Sequence, residues 1–332
     1  METTILLTDT HFGVKNNSMT WLNSQTKFIY DQLIPYIKNL KKDMGKYDSI
    51  RVIHLGDVFD SRSSISTMVA TKVVECFGEI SSLVDDFYII AGNHDYYSPN
   101  SDKVNTLDLL FCDMGITLVT NKIRHVGNDL LVPWYEWGKP EIQDWIDNKG
   151  IKRIFTHADI ITERIPYIGA AVYSGHLHTP DINSNILRFN LGSCYSLTFA
   201  DANSHRGFYV LRNDKLTFQT NISSIRFWRL YDEDIFDVYI LSTIQVGDYI
   251  ELYISESNMS DPKYIEKLNF FTQTYKNIWI IPQTGSGSNY ELEKFEGYDI
   301  EKITKNMIPD ELKSKFEVVL NSCNKSLIMK NE

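Results

Sequence analysis

Five short apolar runs between Thr3 and His178 each end on a carboxylate, an amide or an imidazole. "TILLT" leads into Asp9-Thr10-His11, and "RVIHL" into "GDVFD" with Asp57 and Asp60. "FYIIA" leads into "GNHD" with Asn93, His94 and Asp95; "RIFTH" stops at His157, and "AVYSG" runs on to His176 and His178. Runs rich in Ile, Val, Phe and Tyr read as strands, and helix-like stretches at 22–42 and 66–85 separate several of them. Strands alternating with helices predict an α/β fold whose sheets are covered by helices. In such folds ligand sites gather at the carboxyl ends of strands, where these polar groups fall.

A chain of 332 residues makes one large domain or two smaller ones. The later runs "ILRFNLG", "GFYVL" and "KLTFQT" follow one another across short turns, which predicts antiparallel hairpins. Both halves together predict a two-layered mixed β-sandwich flanked by helices, over residues 1–223. From about residue 224 to 284 the texture changes to a small α/β appendage: the strand "DYIELYIS", the helix "DPKYIEKLNFFTQTY" with Pro262 near its start, and the strand "NIWIIP". Residues 285–332 read as a linker and a C-terminal helix, with Leu312, Phe316, Val319 and Leu320 on one face. In "SDKVNTLDLLFCDMG", Val104, Leu107 and Phe111 form an apolar face that serves either the core or a homodimer contact.

The polar clusters have the chemistry of a metal site. Asp and His suit borderline divalent ions such as Mn²⁺, Fe²⁺ or Zn²⁺. The D-x-H and H-x-H spacings put both side chains on one side of an extended segment. Gly56, Gly92 and Gly175 beside them let the backbone turn with no Cβ in the way. The four cysteines are scattered without C-x-x-C spacing, which argues against a cysteine-rich zinc site and for a reducing, cytoplasmic compartment. The N-terminal sequence lacks the pattern of a secretory signal. A net charge of −10 argues against a protein that simply coats nucleic acid, although acidic metal ligands contribute to it. His54 lies inside a strand and reads as a core histidine. His125 and His205 read as loop residues, His205 being a candidate for a place near substrate. Asp60 and Asp95 read equally as turn caps or as supports of the site.

D-x-H, G-D-x-x-D, G-N-H-D, H and G-H-x-H, in that order from Asp9 to His178, resemble the calcineurin-like metallophosphoesterases. The resemblance implies that Asp9, His11, Asp57 and His178 surround one metal ion. It places Asp57, Asn93, His157 and His176 around a second, with Asp57 as the bridge. It implies that His94 faces substrate and acts on the leaving oxygen, oriented by Asp60 or Asp95. A bridging water activated by two ions would attack phosphorus in line.

Within that superfamily "GDVFDSR" lacks the Arg-Gly of protein phosphatases and is similar to the SbcD-type nucleases of double-strand-break repair. "LGSCYSLTFADANSHRGFYVL" resembles the segment after that family's last histidine, with Cys194 where proline is usual. The small α/β appendage resembles these nucleases' capping, DNA-binding domain, and the compact length is similar to the phage members. The resemblance implies an Mn²⁺-dependent DNA exonuclease and single-strand endonuclease for repair and recombination. It also implies a homodimer and an SbcC-type, SMC-like ATPase partner, in the host cytoplasm for a phage-encoded chain. The chain has no G-x-x-x-x-G-K-[ST] motif, so ATP control would come from that partner, with the C-terminal helix as a candidate docking element. The alternative is a stand-alone phosphoesterase acting on nucleotides or small phosphodiesters.

Overall fold

The computed structural model describes residues 2–45, 48–162 and 169–283. Two six-stranded sheets share one apolar layer. In the first, the parallel strands Glu2–Leu7, Ser49–His54, Asp86–Ile90 and Thr117–Val119 are extended by the antiparallel hairpin Gly207–Arg212 and Lys215–Thr220. In the second, Asp129–Val132, Arg153–Thr156, Ala171–Ser174 and Arg188–Asn190 run parallel, with Arg124–Val126 and Asp181–Asn183 antiparallel at the edges. This is the mixed sandwich flanked by helices that the sequence predicts.

Alternation along the strands explains the layers. Leu6, Ile53 and Ile90 of the first sheet meet Phe155, Tyr173 and Phe189 of the second between the sheets. Their neighbours Ile5, Val52 and Ile89 point the other way and pack beneath helices. Strands buried on both faces therefore read as unbroken apolar runs, as parallel strands do. Helix Thr67–Leu83 covers the outer face with Val69, Val73, Cys76, Phe77 and Ile80, and Ser66 caps it by accepting from the Val69 amide at 3.2 Å. Helix Glu141–Lys149 covers the second sheet with Ile142 and Ile146.

Three expectations change. The run at 22–42 is one helical rod from Met19 to Lys42, but Ile29–Leu33 is a π turn. Pro35 follows it; its ring crowds the carbonyl four residues back and offers no amide, and a wider turn absorbs that conflict. "ILRFNLG" does not pair with "GFYVL": Arg188–Asn190 lies parallel to Ala171–Ser174, whereas Gly207–Arg212 crosses to the first sheet beside Glu2–Leu7. The crossing lets Leu191 and Leu211 enter the shared layer from opposite sheets. The face drawn through Val104, Leu107 and Phe111 is broken, because strand Ser101–Asn105 gives way to helix Thr106–Leu110. Leu107 and Phe111 are fully buried, while Val104 is 61% exposed.

Residues 227–283 add a third sheet of parallel strands Phe227–Tyr231, Tyr249–Ser255 and Asn277–Gln283, with helices Val238–Thr243 and Pro262–Thr274 as crossovers. Asp261 caps the second helix and Pro262 occupies its first turn. This sheet has its own core, including Leu230, Ile250, Leu252, Leu268 and Phe271. An aromatic seam joins it to the helix Met19–Phe28: Trp21 stacks on Phe227 at 5.9 Å and on Tyr249 at 6.1 Å, and Tyr249 stacks on Trp279 at 5.9 Å. The linker and helix expected at 285–332 lie outside the described residues. Among the described residues, no helix is long and apolar enough to cross a membrane.

Trp21 is buried at the root of this seam. Trp21→Ala is expected to cost about 3–5 kcal/mol of stability, the usual price of a large aromatic truncated in a core. Urea unfolding of the two proteins measures it, and a loss below about 1 kcal/mol would show that the seam is not a structural joint.

Candidate metal centre

The ligand-bearing loops leave strands of both sheets. Asp9 and His11 follow Glu2–Leu7, Asp57 follows Ser49–His54, and Asn93 follows Asp86–Ile90. His157 follows Arg153–Thr156, and His176 and His178 follow Ala171–Ser174. Both groups meet at the strands' carboxyl ends. Asp9, His11, Asp57 and His176 all have positive φ, at 49°, 42°, 54° and 78°. Residues with side chains adopt that conformation at a cost, and it persists where the surroundings over-determine it.

Those surroundings can be named. Gln25 donates to the carbonyls of Thr10, at 2.6 Å, and His11, at 3.3 Å, and Ser193 Oγ donates to the Asp9 carbonyl at 3.2 Å. His54 accepts from the Gly56 amide at Nδ1, which leaves Nε2 to face the Thr10 hydroxyl at 3.0 Å. Burial pushes His54 down to about 3, so it is the neutral core histidine the sequence suggests. Two glycines allow close approach: a Cβ on Gly92 would lie 2.2 Å from Asp57 Oδ1, and one on Gly175 would lie 2.5 Å from Asp9 Oδ2. Gln25 carried a signal that sequence reasoning passed over. It is a long polar side chain on the buried stripe Trp21, Leu22, Phe28 and Ile29 of its helix, beside the small Ser24.

The side chains form two overlapping groups. In the first, His11 Nε2 is 3.0 Å from His178 Nε2, 3.7 Å from Asp9 Oδ1 and 3.8 Å from Asp57 Oδ2. In the second, Asn93 Oδ1 is 3.1 Å from His157 Nε2 and 3.0 Å from His176 Nδ1, and His157 Nε2 is 3.3 Å from Asp57 Oδ2. The sets Asp9–His11–His178 and Asp57–His157–His176 can each hold an ion. All seven residues assigned to metal from the sequence thus come together, with Asp57 Oδ2 within reach of histidines from both groups.

Their spacing suits metal ions. Donors bound at about 2.1 Å to one ion and 90–109° apart lie roughly 3.0–3.4 Å from each other, which the His11–His178 pair and the second group match, while His11 lies farther from Asp9 and Asp57, at 3.7 and 3.8 Å. Asp9 Oδ1 is buried with no hydrogen-bond partner among the described residues, a costly state for a carboxylate oxygen unless a cation meets it. His157 Nδ1 faces the Leu55 carbonyl at 2.7 Å; as donor there it leaves Nε2 bare for an ion.

Electrostatics point the same way. Burial alone would raise the Asp57 pKa, but His157, with His11 and His94, reverses this and holds the carboxyl well below its usual range. Burial opposes charge on His157, yet Asp57 outweighs it and lifts the imidazole to about 9. A dication entering beside Asp57 must therefore displace a proton. Mn²⁺ uptake is expected to release protons near neutral pH and to tighten as pH rises toward 9. Calorimetry in buffers of different ionisation enthalpy reads that release, and pH-independent affinity would contradict it.

The three residues assigned to catalysis take different places. His94 Nδ1 lies 2.6 Å from the Asp60 carbonyl oxygen, which fixes the ring with Nδ1 as donor and Nε2 free. The backbone of Asp60 therefore orients His94. Its carboxylate instead faces His11 Nδ1 at 3.6 Å. Asp95 is spent on backbone instead: its buried carboxylate accepts the amides of Asp57 at 2.9 Å, Val58 at 3.0 Å and Gly92 at 2.9 Å. Asp95 is thus the support of the Asp57 turn. His205 is exposed and lines a separate cleft with Arg226 and Trp228.

The chain belongs to the calcineurin-like phosphoesterase family, whose sequence model matches residues 3–190 and so covers every residue of this centre. It is accordingly a metal-dependent phosphoesterase. A search of curated proteins found no match to the chain. Divalent ions held here would supply Lewis acidity toward a phosphoryl oxygen and a water of lowered pKa. Asp9, His11, Asp57 and His178 would hold one ion, and Asp57, Asn93, His157 and His176 the other. His94 Nε2 is then free to hold a proton for a leaving oxygen.

His94 also lies within ligand distance of His11 and Asp57, so its role can be tested directly. His94→Asn is expected to retain two Mn²⁺ per chain while hydrolysis falls about 10²-fold or more, as when a general acid is removed. Metal content by mass spectrometry beside turnover checks this, and loss of an ion would make His94 a ligand.

Proposed function

We propose that the protein is the nuclease subunit of an SbcCD-like DNA repair and recombination complex, cleaving DNA phosphodiesters with Mn²⁺ as exonuclease and single-strand endonuclease. One observation carries the reading. An open groove of about 480 Å³ leads away from His178, lined by Leu177, Thr179, Pro180, Thr198 and Asp201 among others. The segment bordering it also seats the third sheet: Asn203 donates to the Arg229 carbonyl at 2.8 Å and accepts the Arg229 amide at 3.0 Å. Sites for small molecules enclose most of their ligand. A groove open beside the metals, with an extra sheet anchored on its border, suits a polymer, and that sheet takes the role of a capping domain.

A chain of net charge −10 has no general attraction for a polyanion. The reading therefore includes partners that supply DNA affinity and control: a second copy of the chain and an SbcC-type, SMC-like ATPase. The deciding experiment offers the Mn²⁺-loaded protein linear DNA, bis-p-nitrophenyl phosphate and cyclic nucleotides, with and without the co-expressed ATPase. DNA degradation that the ATPase stimulates is expected. Efficient cyclic-nucleotide cleavage with intact DNA would instead identify a stand-alone phosphoesterase.

A further inference from the structure

Arg206 lies beyond the family-matched segment 3–190, yet it reaches the metal centre. It is 4% exposed and follows directly on the exposed His205. Its Nη1 donates to the carbonyl of His178 itself. Its Nη2 donates to Asp201 Oδ1 at 2.5 Å, and its Nε has no partner among the described residues. Asp201 is fixed in turn, accepting the amides of Leu197 at 2.8 Å and Thr198 at 3.1 Å.

A buried guanidinium with one carboxylate partner and an unpaired nitrogen is an expensive way to hold a loop. The loop is already held on both sides, because Asn190 donates to the carbonyls of Leu177 at 2.9 Å and Thr179 at 2.7 Å. The His178 carbonyl between them also accepts the Ser193 amide at 3.0 Å. Of the carbonyls of Leu177, His178 and Thr179, Arg206 adds a charged donor at the one whose residue is a candidate ligand. The His178 side chain is 38% exposed, against 3% for His11 and none for His157, so packing fixes its ring less than it fixes theirs.

We infer that Arg206 is a positioning residue for the first metal ion, holding the His178 peptide so that its imidazole faces Asp9 and His11. The inference rests on the placing of His178 at that ion and not on DNA as substrate. Partners that orient ligands typically contribute 10–100-fold to metal affinity.

The test is calorimetric titration of the full-length protein with Mn²⁺ at fixed pH, comparing wild type, Arg206→Gln, Arg206→Lys, His178→Ala and the double variants. Arg206→Gln is expected to weaken one of the two ions by about 10-fold or more and leave the other unchanged. Arg206→Lys keeps a cation and should lose less. In the His178→Ala background Arg206→Gln should cost nothing further, because both act on one interaction. If Arg206→Gln does not fold, the Lys variant with and without His178→Ala makes the same comparison. Unchanged affinity at both ions, equal weakening of both, or additive losses with His178→Ala would overturn the inference. A wild-type protein that takes up fewer than two ions would overturn the ligand assignment beneath it.

Discussion

Everything at the site turns on where the Asp57 carboxylate is held. One oxygen accepts the His94 amide at 2.8 Å, and the other lies 3.8 Å from His11 and 3.3 Å from His157. That oxygen is the point both ligand groups can share. It can stay there because the Asp57 backbone turns through positive φ and the buried Asp95 carboxylate collects four amides of the surrounding turns. Gly92 completes the arrangement by leaving room that a Cβ would fill. Strain in the Asp57 turn is thus offset by the hydrogen bonds that the Asp95 carboxyl accepts beneath it.

The opposite ends of the strands are tied differently. Arg51, near the start of its strand, is 2% exposed and pairs with Asp129 at 2.7 Å and with Glu2 at 3.1 Å. Arg153 joins Asp129 at 2.6 Å. Arg51 belongs to the first sheet, and Asp129 and Arg153 to the second. This network pins the two sheets together at the amino ends of their strands. The carboxyl ends are then held by the ligand loops and, once loaded, by ions. Apolar packing lies between, so loop strain at one end is borne by a rigid sandwich.

The candidate ligands were legible in the sequence because each is a polar side chain that closes an apolar run at a strand's end, with a glycine beside it in three of the five runs. Strand order was less legible. "ILRFNLG" and "GFYVL" look alike locally, and only burial between two sheets sends them to different ones. Supports were hardest to read, because their contacts are with backbone. His94 is oriented by the carbonyl of Asp60 and not by its carboxylate, Asp95 serves amides, and Arg206 serves a carbonyl. Residue type does not announce such bonds. Gln25 was the exception, a polar residue out of place on an apolar helical stripe. The aromatic seam from Trp21 to Trp279 joins residues far apart in the chain, and no spacing rule links them.

The central claim is that Asp57 is shared by two ions only a few ångströms apart. Electron paramagnetic resonance of the Mn²⁺-loaded protein tests it most directly, because two ions on a common carboxylate couple their spins. The account expects a spin-coupled signal at two ions per chain that is lost in Asp57→Asn. A spectrum of isolated, uncoupled Mn²⁺ at full loading would contradict it.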